Sequence, residues 1–372
     1  MLKENVVFCG IGQGGGNITR ELELNDCQCF YVNTSLEDLD TIDTGYDKKY
    51  HINGTKGMAK DRALANEVIT SEYNDDKVVE AVYKKYANAS IYFFIYTLSG
   101  GTGGGMGNQI AKKMKERFPD KTVNIITVLP NDEEDIIMQL NAIQCLKGIK
   151  DILIDGDKGY ITNLQILDNN KKDFDKRTSI NKEYASMLDK ILSFQSITPE
   201  GNLDEEELER LFSIPGVSTI CELDNKDFLD ELTKVEDTTI FASTLKNVKA
   251  HGLILNGDQN NTTSRNLIRE EFGVPVATYD TVWDEDLNII ISLGMSFDDS
   301  IINKLNANYT RLMNKRKEIE ENIKKQQETV NNIDLDFSAI VGLGGSKSKE
   351  SKPERTGRTG FAGARGAMRG RR

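Results

Sequence analysis

Gly10, Gly12, Gly14 and Gly15 in the stretch CGIGQGGGN (9–17), and the glycines from Gly100 to Gly107 in SGGTGGGMGN (99–108), each follow a short apolar run, Val6-Val7-Phe8 and Ile91 through Leu98. A strand that ends in glycine and leads into a helix presents free backbone N–H groups and the positive end of the helix dipole, which together suit phosphate. The GxGxxG pattern of Gly10, Gly12 and Gly15 also describes a plain tight turn. A second glycine loop on the same sheet edge shifts the reading to a phosphate cradle. A dinucleotide fold would want an acidic residue at the end of the second strand for the ribose hydroxyls; Cys29-Phe-Tyr-Val32 ends in Asn33. A P-loop needs GxxxxGK[ST], and the dipeptide Gly-Lys does not occur. A nucleoside triphosphate held by two glycine loops is what remains.

These loops need strands and helices to position them. In the first half, short apolar runs at Val6–Phe8, Cys29–Val32, Ile91–Leu98, Val123–Leu129 and Gly159–Ile161 alternate with longer helix-like stretches, a pattern that favours a mostly parallel sheet covered by helices. Ligands of such sheets bind outside the carboxyl ends of the strands, where both glycine loops fall. The expectation is an α/β protein with a Rossmann-like nucleotide domain over residues 1–180 and a long connecting helix over 181–200. A second, smaller α/β domain over 201–299 carries strands at Thr239–Ala242, Gly252–Leu255 and Ile289–Leu293. Ile301, Leu305, Tyr309, Leu312, Ile319 and Ile323 recur at helical spacing, predicting a long amphipathic helix over 300–330. The composition of 337–372 predicts a flexible basic tail.

Bulk properties narrow the classes. With 372 residues, 38% hydrophobic and 28% charged, the chain can bury a sizeable core. It has no apolar window long enough to span a membrane and no signal-peptide pattern, so no membrane partner and a cytoplasmic location are expected. Cys9, Cys27, Cys29, Cys145 and Cys221 lack a CxxC pair, which argues against a disulfide framework or zinc site. His51 and His251 have no triad context. The net charge of −12 conceals a division: the 26 residues from Lys347 carry nine basic and two acidic side chains, +7, leaving −19 on the body. Such a body does not suit DNA, whereas the arm suits a polyanion or acidic surface.

In their order along the chain these stretches resemble the tubulin and FtsZ superfamily of GTP-dependent filament proteins. GGTGGGMG (100–107) is similar to its glycine-rich signature, CGIGQGGGN to its first phosphate loop, VNTSLEDL (32–39) to its second, and NGTKGMAKDR (53–62), with Gly57, to its γ-phosphate loop. VLPNDEED (128–135) is similar to the ribose loop and TNLQIL (162–167) to the base-contacting loop. The resemblance implies that Gly12, Gly14, Gly100, Gly101, Gly103, Gly104 and Gly105 wrap phosphates of GTP or GDP, with the Thr102 hydroxyl as a further donor. Gln13, Asn17 and Asn33 would reach phosphate, base or metal water; Glu133 or Glu134 would accept from the ribose, and Asn163 and Asn181 would meet the base. Mg²⁺ would come with the nucleotide, near Gln13, without a direct protein ligand. Guanine over adenine rests on the resemblance alone.

A cradle binds but does not hydrolyse; attack on the γ-phosphate needs an oriented water and a group to polarise it. Asn202, Asp204 and Glu207 in GNLDEEE (201–207) match the family's N-x-D-x-x-D/E synergy loop. By resemblance, Asp204 and Glu207 would position water at a neighbouring subunit's nucleotide, supported by Asn202, so the expected self-partner is a head-to-tail filament. The same carboxylates also suit the start of a helix. The Arg- and Gly-rich end most resembles the TubZ proteins of bacterial plasmids and phages, implying that Lys347–Arg372 engages a DNA-binding adaptor on centromere-like DNA to segregate the replicon. Other readings are a positioning or division filament of the same superfamily, a Rossmann-type NAD- or nucleotide-dependent metabolic enzyme, and a basic-tailed nucleic-acid binding module.

Overall fold

The computed structural model describes residues 2–156, 158–171, 177–194, 203–243, 245, 247–257 and 261–331. Ten strands, β1 (Val6–Ile11), β2 (Gln28–Asn33), β3 (Lys49–His51), β4 (Ile91–Thr97), β5 (Thr122–Leu129), β6 (Asn163–Asp168), β7 (Gly216–Asp224), β8 (Ala250–Asn256), β9 (Ala277–Trp283) and β10 (Leu287–Met295), form one sheet. Their order is 3-2-1-4-5-6-7-10-8-9. Pairing is parallel throughout except where β10 runs antiparallel between β7 and β8. The two halves of the sheet meet through two residue pairs, Asn163 with Gly216 and Leu164 with Val217.

The described helices are α1 (Gly12–Glu23), α2 (Leu36–Asp40), α3 (Arg62–Thr70), α4 (Asn74–Lys85), α5 (Gly101–Arg117), α6 (Ile136–Ile152), α7 (Arg177–Ser193), α8 (Glu205–Phe212), α9 (Phe228–Thr233), α10 (Val235–Thr238), α11 (Asn261–Phe272) and α12 (Asp299–Asn331). Strands β1 and β4 are near-continuous apolar runs, as strands covered on both faces must be. Alternate residues serve different cores, because successive side chains point to opposite faces. Val7, Cys9 and Ile11 join α3, α4, α5, α6 and α11 on one side, while Val6 and Phe8 join α1, α7 and α8 on the other. All five cysteines are buried and unpaired. No described helix is long and apolar enough to cross a membrane.

Residues 1–316 form one compact unit, and residues from 317 onward a second, whose described part is the exposed end of α12 with Ile319 and Ile323 facing solvent. The tail expected at 337–372 lies outside the described residues, as do Asn202 and the end of the connecting helix expected at 181–200, which is seen as α7.

Several local expectations change. TNLQIL is not a loop but almost the whole of the buried strand β6, whose alternating residues reach both cores. Ile161 and Phe241 make isolated bridges, with Leu153 and Leu167, so Gly159–Ile161 and Thr239–Ala242 are not strands. Strands β3, β7 and β9 go unforeseen; β3 is three residues long and β9 is a half-buried edge without a continuous apolar run.

On β8, His251 is 1% exposed; burial, and secondarily the charge of Arg269, push its pKa down to about 4. The unfolded chain therefore binds a proton at higher pH than the folded one. Stability from this group is complete above the unfolded value near 6.5 and declines as pH falls toward 4, by up to about 3 kcal/mol. Urea unfolding at pH 7 and pH 4.5 should show a smaller acid loss for His251→Gln than for the wild type; equal losses would remove this account.

Candidate functional site

An open cavity of about 600 Å³ lies outside the carboxyl ends of β1, β2, β4 and β5. Parallel pairing is what brings these ends together: four strands terminate at one edge, β1 passing straight into α1 and the others into short connections. Gly12, Gln13, Gly14 and Asn17 line the cavity after β1, and Asn33 and Asp38 after β2. Gly57 lines it from the loop after β3, Gly100, Gly101, Thr102 and Gly103 after β4, Glu134 after β5, and Asn181 from α7.

Neither α1 nor α5 has a side-chain cap at its N-terminus, so first-turn N–H groups of both are left for a ligand. The two loops touch: Gly12 takes a left-handed φ of 70°, and a Cβ there would lie 3.1 Å from the Gly103 nitrogen. Cradles of this construction favour anions with several oxygens.

Other glycines in the same stretch do a different job. A Cβ on Gly104 would run into the Leu98 carbonyl oxygen, and one on Gly105 would sit 2.5 Å from Ala65 Cβ. Neither residue lines the cavity. They allow α5 to lie directly on the end of β4 and against α3. Gly107 makes room for the ring of Tyr96, whose hydroxyl donates to Asn108 Oδ1 at 2.7 Å while Asn108 Nδ2 donates to the Cys145 carbonyl at 3.0 Å. Burial pushes the Tyr96 hydroxyl up, keeping it a proton donor beneath the cradle.

Hydrogen bonds fix the loops to one another. Asn33 Oδ1 accepts from the backbone N–H of Thr34 (2.8 Å) and Ser35 (3.2 Å), and its Nδ2 donates to Asp38 Oδ2 (3.2 Å). Asn33 thus shapes the turn and presents Asp38 to the cavity. The Thr102 hydroxyl is 2.7 Å from that of Thr34, and the Thr34 carbonyl accepts from the Gly57 N–H (2.9 Å) and the Thr55 hydroxyl (2.8 Å). Asn141, 3% exposed on α6, donates through Nδ2 to the carbonyls of Lys60 (2.9 Å) and Ser99 (3.2 Å). Arg62 Nε donates to the Gly104 carbonyl at 3.1 Å.

Asn163 is not brought to the cavity. It begins β6, at the far end of the sheet, where its Oδ1 accepts from Ser218 (2.5 Å) and its Nδ2 donates to the Ile214 carbonyl (3.3 Å). Asn169, just past the other end of β6, lines the cavity with Asn181. Glu133 points away, its side chain 70% exposed and 3.4 Å from Arg311, whereas the Ser99 hydroxyl donates to Glu134 at 3.4 Å.

Sequence reasoning misses Asp38, Lys60, Asn141 and Asn169. Asn141 left a signal: it falls on the stripe of Cys145 and Ile149 on α6, where an amide must find partners.

Asp204 and Glu207 lie away from the cavity, at the first turn of α8. Asp204 caps the helix: its Oδ1 accepts from the Glu207 N–H (2.8 Å), and Glu207 Oε2 accepts from the Asp204 N–H (3.3 Å). The rest of α8 is tied to the amino ends of the strands. Glu209 accepts from Asn5, just before β1, at 2.8 Å, and the Phe212 carbonyl accepts from Asn124 of β5 at 3.1 Å. Cavity and carboxylates therefore occupy opposite ends of the sheet.

Residues 5–155 match the family described as Tubulin/FtsZ family, GTPase domain. The chain is 29% identical over 322 residues to the tubulin-like protein TubZ of Clostridium botulinum C phage, covering 86% of each. It is 29% identical over 220 residues to the tubulin-like protein CetZ of Pyrococcus abyssi, covering 55% of this chain and 56% of that one. The solved structure of tail-truncated TubZ from Clostridium botulinum phage c-st superposes with a TM-score of 0.75 at 28% identity, over 85% of this chain and 100% of that one. A GTPγS-form protofilament of TubZ from Bacillus thuringiensis serovar israelensis shares the fold, with a TM-score of 0.71 at 18% identity over 86% and 94% of the two chains.

Proposed function

We propose that this chain, whose residues 5–155 match the Tubulin/FtsZ family GTPase domain, polymerises head-to-tail with copies of itself and hydrolyses GTP at the joint between subunits. One observation carries the reading: a phosphate cradle opens at one end of a parallel sheet and an exposed carboxylate turn sits at the other. No single chain can bring these together, but a second copy stacked along the sheet direction can.

Within the cradle, N–H groups at the starts of α1 and α5 would hold the α- and β-phosphates, and Glu134 would accept from the ribose. Asn169 and Asn181 would meet the base. Among the described residues no group of three His, Cys, Asp or Glu side chains is placed to cage a metal. The donors at the cradle suit Mg²⁺ that arrives on the phosphates, with the Gln13 amide oxygen accepting from its water; the bound ion would neutralise phosphate charge. Asp204 and Glu207 of the next subunit, supported by Asn202, would orient the attacking water. In the cell, a bacterial cytoplasm, the basic end Lys347–Arg372 would engage a DNA-bound adaptor so that the filament moves plasmid or phage DNA.

Right-angle light scattering with GTP, ATP and a slowly hydrolysed GTP analogue, with phosphate release followed in parallel, tests this. Expected is a rise with GTP that decays as phosphate appears and persists with the analogue. Absence of a rise with every nucleotide would return the cavity to a soluble metabolic enzyme. Deleting residues 347–372 should leave GTP-driven assembly intact and abolish co-sedimentation with adaptor-bound DNA.

A further inference from the structure

Charge in the cavity is unevenly placed. Its lining holds two cations among the described residues, Lys56 and Lys60, and both belong to the loop after β3; the rest of the cradle is backbone N–H groups and neutral side chains, with Asp38 and Glu134 as carboxylates. Gly101, at the start of α5, lies against this loop so closely that a Cβ would be 2.9 Å from Lys60 Cα. A phosphate chain resting on the α5 N–H groups therefore ends beside Lys60.

The main chain of Lys60 is held from the protein interior, its side chain only by an exposed ion pair. Ala59 and Lys60 both adopt left-handed backbone, with φ of 46° and 66°, a conformation costly for residues with a Cβ unless the surroundings impose it. Asn141 imposes it by binding the Lys60 carbonyl. The ammonium meanwhile donates to Asp135 Oδ2 at 2.7 Å, in a pair whose side chains are 46% and 68% exposed. Asp135 is the N-cap residue of α6, yet its carboxylate caps nothing. Aspartate in that place ordinarily accepts an N–H from the first turn. Each member of the pair thus has an alternative use, and exposed pairs contribute little to stability.

We propose that Lys60 is the residue that distinguishes a nucleoside triphosphate from a diphosphate: with a terminal phosphate present, its ammonium leaves Asp135 for that phosphate, and Asp135 turns to cap α6. The proposal rests on the nucleotide reading of the cavity. Only side chains need move, because Asn141 and Gly101 keep the loop in place. The exchange is felt at the start of α6, where Met138 lines the cavity and the adjacent Ile137 is exposed, so the identity of the nucleotide is displayed on the end of the molecule that a following copy would meet.

Titration of the full chain, in Mg²⁺ and below its assembly concentration, with fluorescent GDP and a fluorescent slowly hydrolysed GTP analogue tests it. Lys60→Met should lose analogue affinity at least fivefold more than GDP affinity, and Lys60→Arg should retain most of the preference. Asp135→Asn, which frees the ammonium, should shift the preference the other way, toward the triphosphate by severalfold. Opposite shifts from the two partners are not expected of a structural salt bridge, whose loss acts alike on both ligands. Equal losses for both nucleotides in Lys60→Met, or a reduced triphosphate preference in Asp135→Asn, would overturn the proposal. Failure of the wild-type chain to bind either nucleotide would overturn the cavity assignment itself.

Discussion

Asp204→Asn should reduce GTP turnover by about a hundredfold or more, the scale of a positioned acid–base group, while filaments still form and persist. Asparagine isolates the effect because it caps a helix about as well as aspartate. In the unassembled chain Asp204 already has work to do, accepting from the Glu207 N–H while Glu207 returns the bond. Asp204→Ala would therefore confuse two losses: the carboxylate proposed to serve the neighbour's nucleotide, and about 1 kcal/mol of helix cap. With Asn the α8 turn stays, Leu208 and Leu211 stay buried against the sheet, and only the charge goes. Glu207→Gln should behave similarly. Phosphate release measured on pelleted filaments, with the thermal midpoint alongside, decides between the roles. Normal turnover in Asp204→Asn would confine the carboxylate to capping and remove the composite site.

The same pair shows how far a sequence can be read. The spacing N-x-D-x-x-E suits either a capped helix or a shared catalytic loop, and both demand the same residue types. Sheet order separates them only by placing α8 at the end away from the cavity. The glycine loops are legible because few side chains can replace a close backbone approach. What cannot be read is which glycines face a ligand: Gly100, Gly101 and Gly103 line the cavity, while Gly104, Gly105 and Gly107 serve the packing of α5. Asn163 and Asn169 fail for a related reason. Asn163 begins β6 and Asn169 follows it, and a strand so short and so fully buried does not announce its direction, so no local pattern says which of its ends lies at the cavity. Asn141 and Lys60 act through partners more than 30 residues away, which no local pattern reveals.

Gly15 and Gly16 allow the packing account to be tested apart from any ligand, because two adjacent residues of one helix should respond to alanine with opposite sign. At Gly16 a Cβ would meet Ile42 Cδ1 at 3.6 Å and Tyr31 Cδ1 at 3.9 Å, ordinary contacts. Alanine there should stabilise the chain by up to about 1 kcal/mol through helix propensity, or a few degrees in thermal midpoint. At Gly15 a Cβ would occupy the place of the Ile95 carbonyl oxygen and crowd Tyr96 Cα at 3.1 Å. These are main-chain atoms of the buried strand β4, so nothing can swing aside; α1 must lift from the sheet. Overpacking of that kind costs about 3 kcal/mol or more. Lifting α1 also draws Gly12, Gln13 and Asn17 away from α5, so nucleotide affinity should fall with stability in Gly15→Ala although Gly15 does not line the cavity. Thermal unfolding and nucleotide titration of the two variants side by side provide the measurement. Equal midpoints would mean that α1 has slack against β4, and the glycines of CGIGQGGGN would then have to be explained by the ligand alone.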